Sequence, residues 1–196
     1  MTTTEGTAAP ERPHRGIRHV LHPQVIGALI GAGGASAFVH ANRGALPEPW
    51  PTVAVLAWAA ALLVWGWAVL LRSRRLSDAR PAQRAGLVYV ASVAGMLLTF
   101  AVGRRVLDAV ERPELMPAVV VIGVGLHFVP FARAFAAPVF GVLGWTLAAI
   151  GVAGLLLGLL VGAVPVAAAA VATGVVMLLL IALDAVRDGQ VGPSTS

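Results

Sequence analysis

A chain of 196 residues suits a single domain, and here 58% of the residues are hydrophobic and only 12% charged, with a mean hydropathy of +0.86. A soluble domain wets its surface with about 25% charged residues, roughly twice the share found here, and these apolar residues come in long runs, so a bilayer is the expected solvent. All 14 basic residues are arginines standing between apolar runs, where they set topology and meet anionic headgroups rather than nucleic acid; the absence of cysteine excludes disulfides, thiolate metal sites and thiol redox chemistry.

Residues 1–18 read as a disordered N-terminal tail, polar and carrying Arg12, Arg15 and Arg18. A first membrane helix is expected at about 23–40. Its Gly27, Gly31 and Ala35 recur every four residues, which lines small side chains along one face and lets another helix approach closely. A secretory signal peptide cut after Ala37 or Ala41 is the competing reading of this run. Pro47, Pro49 and Pro51 then break the chain before a second span at 50–71. Trp50 at one end and Trp65 and Trp67 near the other fit rings anchored at both interfaces. Arg72, Arg74 and Arg75 stop this span, and Arg80 and Arg84 follow.

The third span, at about 86–102, places Tyr89, Ser92, Met96 and Thr99 on one side, a stripe expected to face protein. In the following loop Arg104, Asp108 and Arg112 are spaced by four, as in a short interfacial helix with a solvated charge ladder. The fourth span, 117–135, carries His127, Pro130 and Arg133. The fifth, 138–161, carries Gly154 and Gly158, with Gly162 continuing the same four-residue spacing. A reversal at Gly162 to Pro165 leads into the sixth span, 164–184, which ends in Asp184 and Arg187. The six-span domain thus covers 19–188, and 189–196 form a polar C-terminal tail.

The fold class is therefore an all-α, polytopic transmembrane bundle. Six spans return the chain to its starting side. With both termini cytoplasmic, ten arginines lie inside and four (Arg43, Arg104, Arg105 and Arg112) outside, as the positive-inside rule asks. The arginine-only, alanine-rich composition is compatible with a bacterium, and the expected location is its cytoplasmic membrane.

His127 is the ionisable group placed deepest in a span, and such a group is a candidate functional site. At 1.5 Å of rise per residue it lies about 12 Å in from Phe135, while Ser92 lies about 9 Å in from Gly86, so Ser92 is the expected partner. Pro130 cannot donate to the carbonyl of Leu126 and leaves a second acceptor nearby. The histidine is then either a proton-exchanging group in a cavity or a neutral ring bonded between helices. No second ionisable group stands at its depth, which favours the latter. Arg133 and Asp184 share a depth at the inner ends of their spans and form a candidate interhelical ion pair.

Catalysis and cofactors find little support. Ser36 lies in GGASAF, without the GxSG setting of intramembrane serine proteases. His19 and His22 fall on the opposite side from His40, so no metal set converges, and a chain without lysine has no lysine-bearing nucleotide loop. No cofactor or metal is expected. The stretch GLHFVPFA, Gly125 to Ala132, resembles a GLHF-x-P-x-A helix of small multi-span bacterial membrane proteins with no assigned activity. The resemblance covers one helix and brings no catalytic residues with it. The expected function is an accessory, interaction or structural membrane protein. Its partners are the lipid bilayer and, through the glycine faces, a second copy or another membrane protein. A permease with His127 in its pathway is the alternative, and an intramembrane enzyme the weaker one.

Overall fold

A chain that crosses lipid must satisfy its backbone polar groups within each segment, and helices do so. The computed structural model describes residues 14–74 and 83–187. Among them, six helices are long and apolar enough to cross a membrane. They are α1 (Pro23–Asn42), α2 (Trp50–Gly66), α3 (Ala85–Ala109), α4 (Met116–Ala134), α5 (Val139–Val161) and α6 (Ala163–Arg187). The expected tails at 1–13 and 189–196, and Arg12, Arg75 and Arg80 of the orientation count, lie outside the described residues.

Local chemistry sets the helix ends. Pro23 opens α1, where a missing N–H costs nothing, and the His22 ring accepts from the Gln24 N–H at 3.3 Å. Beyond Gly66, α2 widens into a π turn, Trp67–Leu71, closed by the Arg72 N–H on the Trp67 carbonyl at 2.9 Å. Gly162 ends α5 with φ 97°, a backbone that favours glycine. The reversal is complete there, so Pro165 falls inside the first turn of α6.

The expected interfacial helix after the third span is instead the end of α3 itself. No proline stands between 102 and 109, the helix runs through Gly103, and Arg104 pairs with Asp108 at 2.8 Å one turn on. Arg112 does not extend that ladder. Glu111, at φ 57°, turns the chain out of the helix, and the Arg112 guanidinium reaches Glu114 at 2.6 Å and the Gly158 carbonyl at 3.0 Å. It thus caps the last turn of α5, as Arg72 caps α6 by donating to the Val186 carbonyl at 2.8 Å. Replacing Arg112 with alanine removes both charge-assisted bonds and should cost about 1–2 kcal/mol at this half-exposed position. Arg104→Ala, at an exposed surface pair, should barely move the thermal midpoint in detergent. Equal shifts for the two variants would refute the capping role.

Residues 14–18, expected in the tail, are instead held. His14–Arg15 pair antiparallel with Ser73–Arg74, and a 3₁₀ turn, Gly16–Arg18, follows.

Helix α6 is the hub, packing against α1, α2, α4 and α5. Half of its apolar window is buried, against 6% for α3, which packs chiefly on α4 at the edge of the bundle. Small residues let α6 hold this position. Ala170, Gly174, Ala182 and Ala185 are buried, and a side chain at Gly174 would strike the Ala35 carbonyl of α1. The closest approach of α4 to α5 is of the same kind: a Cβ at Gly125 would lie 2.5 Å from the Ala148 nitrogen and 2.7 Å from the Gly144 carbonyl. Trp50 and Trp67 are exposed near the two ends of α2, as interface anchors are. Trp65 is not: it lies in the core beside Ala61 and Ala68, its indole N–H without a partner.

Candidate intramembrane site

Helix α4 carries two working faces. On one, Gly123 meets Phe100 and Thr99 of α3, and two turns on Phe131 stacks on Tyr89 with ring centroids 5.7 Å apart. His127 stands between those two contacts at helical spacing, so it belongs to the α3–α4 seam. Of the expected stripe on α3, Thr99 lies against α4 beside Gly123, while Tyr89 touches Phe131 and stays half exposed. On the other face, Gly125 meets α5, and Phe128 and Phe131 reach Phe140 at centroid distances of 5.9 and 5.8 Å.

His127 is half-buried in this aromatic nest, 4.0 Å from Phe128 and edge-on to Phe131 at 5.4 Å between centroids. Its Nδ1 lies 2.6 Å from the Val124 carbonyl one turn back. A carbonyl only accepts, so Nδ1 donates in this bond. Ser92 sits on the same seam, but no hydrogen bond joins it to His127. The antiparallel contacts of Tyr89 with Phe131 and Phe100 with Gly123 place Ser92 level with Pro130, one turn from the histidine.

The Leu126 carbonyl freed by Pro130 is not the ring's partner either. Side chains of a helix lean toward its N-terminus while carbonyls point to its C-terminus. The ring therefore folds back onto Val124, and the freed oxygen points forward, away from it.

Among the described residues, Arg133 is exposed and forms no ion pair with Asp184. The end of α4 packs onto Phe140 through Phe131 and Phe135, whereas the end of α6 packs its Ala182 and Ala185 in the same core as Ala68 and Val69 of the π turn.

The two glycine stripes meet different fates. Gly31 lies against Ile181 and Met177 of α6, and Gly154 and Gly158 lie against Ala169 and Val166 of α6, so these three close contacts within the chain. Gly27 has open space around it.

A second polar cluster escapes a reading by spacing. The Trp58 indole donates to Ser36 Oγ at 3.0 Å, Ser36 donates to the Ala32 carbonyl at 2.8 Å, and His40 sits edge-on to Trp58 at 4.5 Å between centroids. The available signal is Trp58 itself, a tryptophan well inside a span, whose N–H needs a partner there. With its hydrogen given to a carbonyl and no base on it, Ser36 is not arranged as a nucleophile. Among the described residues, no three His, Asp or Glu side chains converge as metal ligands. No family model, curated protein or solved structure matches this chain.

Proposed function

We infer that this chain is a non-transporting accessory or interaction protein of a bacterial cytoplasmic membrane, with both termini cytoplasmic. We place it with the small multi-span proteins that its GLHFVPFA helix resembles. The observation that carries the reading is the apolar character of the core. Among the described residues, the buried side chains that carry a polar group are Thr173 and Trp65, and the Thr173 hydroxyl is already bonded to the Ala169 carbonyl of its own helix at 2.8 Å. A transport route needs polar groups at the midplane to replace a substrate's water, often on broken helices. Here the helix seams are closed instead by glycine and alanine against backbone. The partner reading rests on one exposed strip of α1, where Gly27 has nothing within 4 Å and Gly34, seven residues on, meets only the Met177 Cε at 4.0 Å, so a second helix could approach there closely.

Because the chain has no cysteine, single thiols report on water directly. Thr173→Cys and Ser92→Cys should resist a water-soluble maleimide in membranes open on both faces, while Glu111→Cys in the exposed turn labels fully. Labelling of either intramembrane thiol at a rate near that of the turn would refute the dry core and make the His127 seam a pathway. In the native membrane, a photo-cross-linker at Gly34 should give a discrete protein adduct and one at Leu98 on α3 a lipid adduct. Lipid alone at both positions would defeat the interaction reading.

A further inference from the structure

The segment between the described N-terminus and α1 is placed more firmly than its composition requires. Its two-residue pairing fixes Arg15 opposite Ser73 and His14 opposite Arg74. Gly16 is buried on the π turn so closely that any side chain there would meet the Val69 carbonyl. Residues 14–22 thus form a strap across the inner end of α2, and a shallow open groove runs along its outer side from Ile17 to His22.

This strap gathers like charge. By sequence its end of the bundle is assigned ten arginines and five acids (Glu5, Glu11, Asp78, Asp184 and Asp188). The opposite end matches four arginines with four acids (Glu48, Asp108, Glu111 and Glu114). The backbone pairing brings Arg15 and Arg18 to the same helix end as Arg72, yet Arg15 and Arg18 pair with no acid among the described residues. Both are exposed, and they alternate with exposed apolar residues: Ile17 at 54% and Leu21 at 87%. Such alternation suits neither bulk water nor the hydrocarbon core. It suits the boundary between them, where apolar side chains enter the acyl region and guanidiniums meet phosphate.

We propose that the strap of residues 14–22 is a binding site for the headgroup of an anionic phospholipid. Arg15 and Arg18 take the phosphate, and Ile17 and Leu21 seat the strap in the acyl boundary. The ligand is lipid rather than a free anion because the apolar side chains flank the arginines on the same short segment. Docking on the π turn makes the site a built one rather than a loose basic tail. The fold brings the cations together, and the membrane supplies the counter-charge.

The test uses the full chain in nanodiscs of phosphatidylcholine, with or without phosphatidylglycerol at equal total lipid, reading the thermal unfolding midpoint. The anionic lipid should raise the midpoint by about 4–8 °C, the scale for two arginines at an anionic surface. Arg15→Gln with Arg18→Gln should lose most of that rise. Gly16→Val, which keeps every charge but displaces the strap from Val69, should lose it as well. An equal midpoint in both lipids would overturn the proposal, as would a full rise in the double glutamine variant. A full rise in Gly16→Val would overturn the built site, and a rise produced by inorganic phosphate in pure phosphatidylcholine would overturn the assignment to lipid.

Discussion

Gly125→Val should unfold this protein in detergent well below the wild-type midpoint, with the largest loss of any single substitution on α4. At Gly125 a Cβ meets backbone on the facing helix, the Ala148 nitrogen at 2.5 Å and the Gly144 carbonyl at 2.7 Å, and backbone does not yield as a rotamer does. Over-packing in a close-packed core costs about 1–3 kcal/mol. Here α4 and α5 must separate along their whole shared face, so about 3 kcal/mol or more is expected. The same separation pulls Phe128 and Phe131 off Phe140, so His127 should lose its nest and become reactive to an imidazole reagent that spares it in the wild type. A valine variant as stable as wild type, with an unreactive histidine, would mean that α4 and α5 do not pack through Gly125. Gly141→Ala on α5, whose Cβ would sit 3.4 Å from the Ala132 Cβ, is the matching control and should cost little.

The bilayer explains why so much of the fold is legible in the sequence. A spanning helix must be long, apolar and punctuated at its ends, and these are local properties. Five helices begin and end within a few residues of the expected spans, while α3 runs past its apolar part to Ala109 because helix propensity does not stop where lipid does. Which helix touches which is not a local property. Gly27 and Gly31 are identical by spacing, yet one is open and the other faces α6. Gly125, Gly144 and Gly174, which come closest to the backbone of a facing helix, follow no four-residue glycine repeat on a single helix. The depth of His127 in its span could be counted, but its bond could not. A count along the axis gives height only, whereas the lean of helical side chains selects Val124 over Ser92 and Leu126. The strap at residues 14–18 was hidden for another reason: nothing in a polar, arginine-bearing segment announces that Gly16 fits against the Val69 carbonyl.

The seam between α1 and α6 allows a graded experiment in which three glycine-to-alanine changes should give three different results. Gly174→Ala drives a methyl against the Ala35 carbonyl and the Val39 side chain, and should cost about 2–3 kcal/mol, since a backbone oxygen must move. Gly31→Ala meets the Ile181 Cδ1 at 2.7 Å, the far end of a flexible side chain that can turn aside. Its cost should stay near 1 kcal/mol and be partly offset by the better helix propensity of alanine, worth about as much. Gly27→Ala meets nothing within 4 Å and should leave the midpoint of the isolated chain unchanged or slightly raised. The ordering follows from what each methyl strikes: backbone, side chain or open space. A Gly174→Ala variant as stable as Gly27→Ala would remove α6 from the centre of the bundle. In native membranes the Gly27 result acquires a second meaning. If an open glycine face on α1 receives a helix from a partner, Gly27→Leu should abolish the adduct captured from Gly34 while leaving the purified chain as stable as before. A change that is silent in the isolated chain and disruptive in the membrane separates a contact made with a partner from one made within the fold.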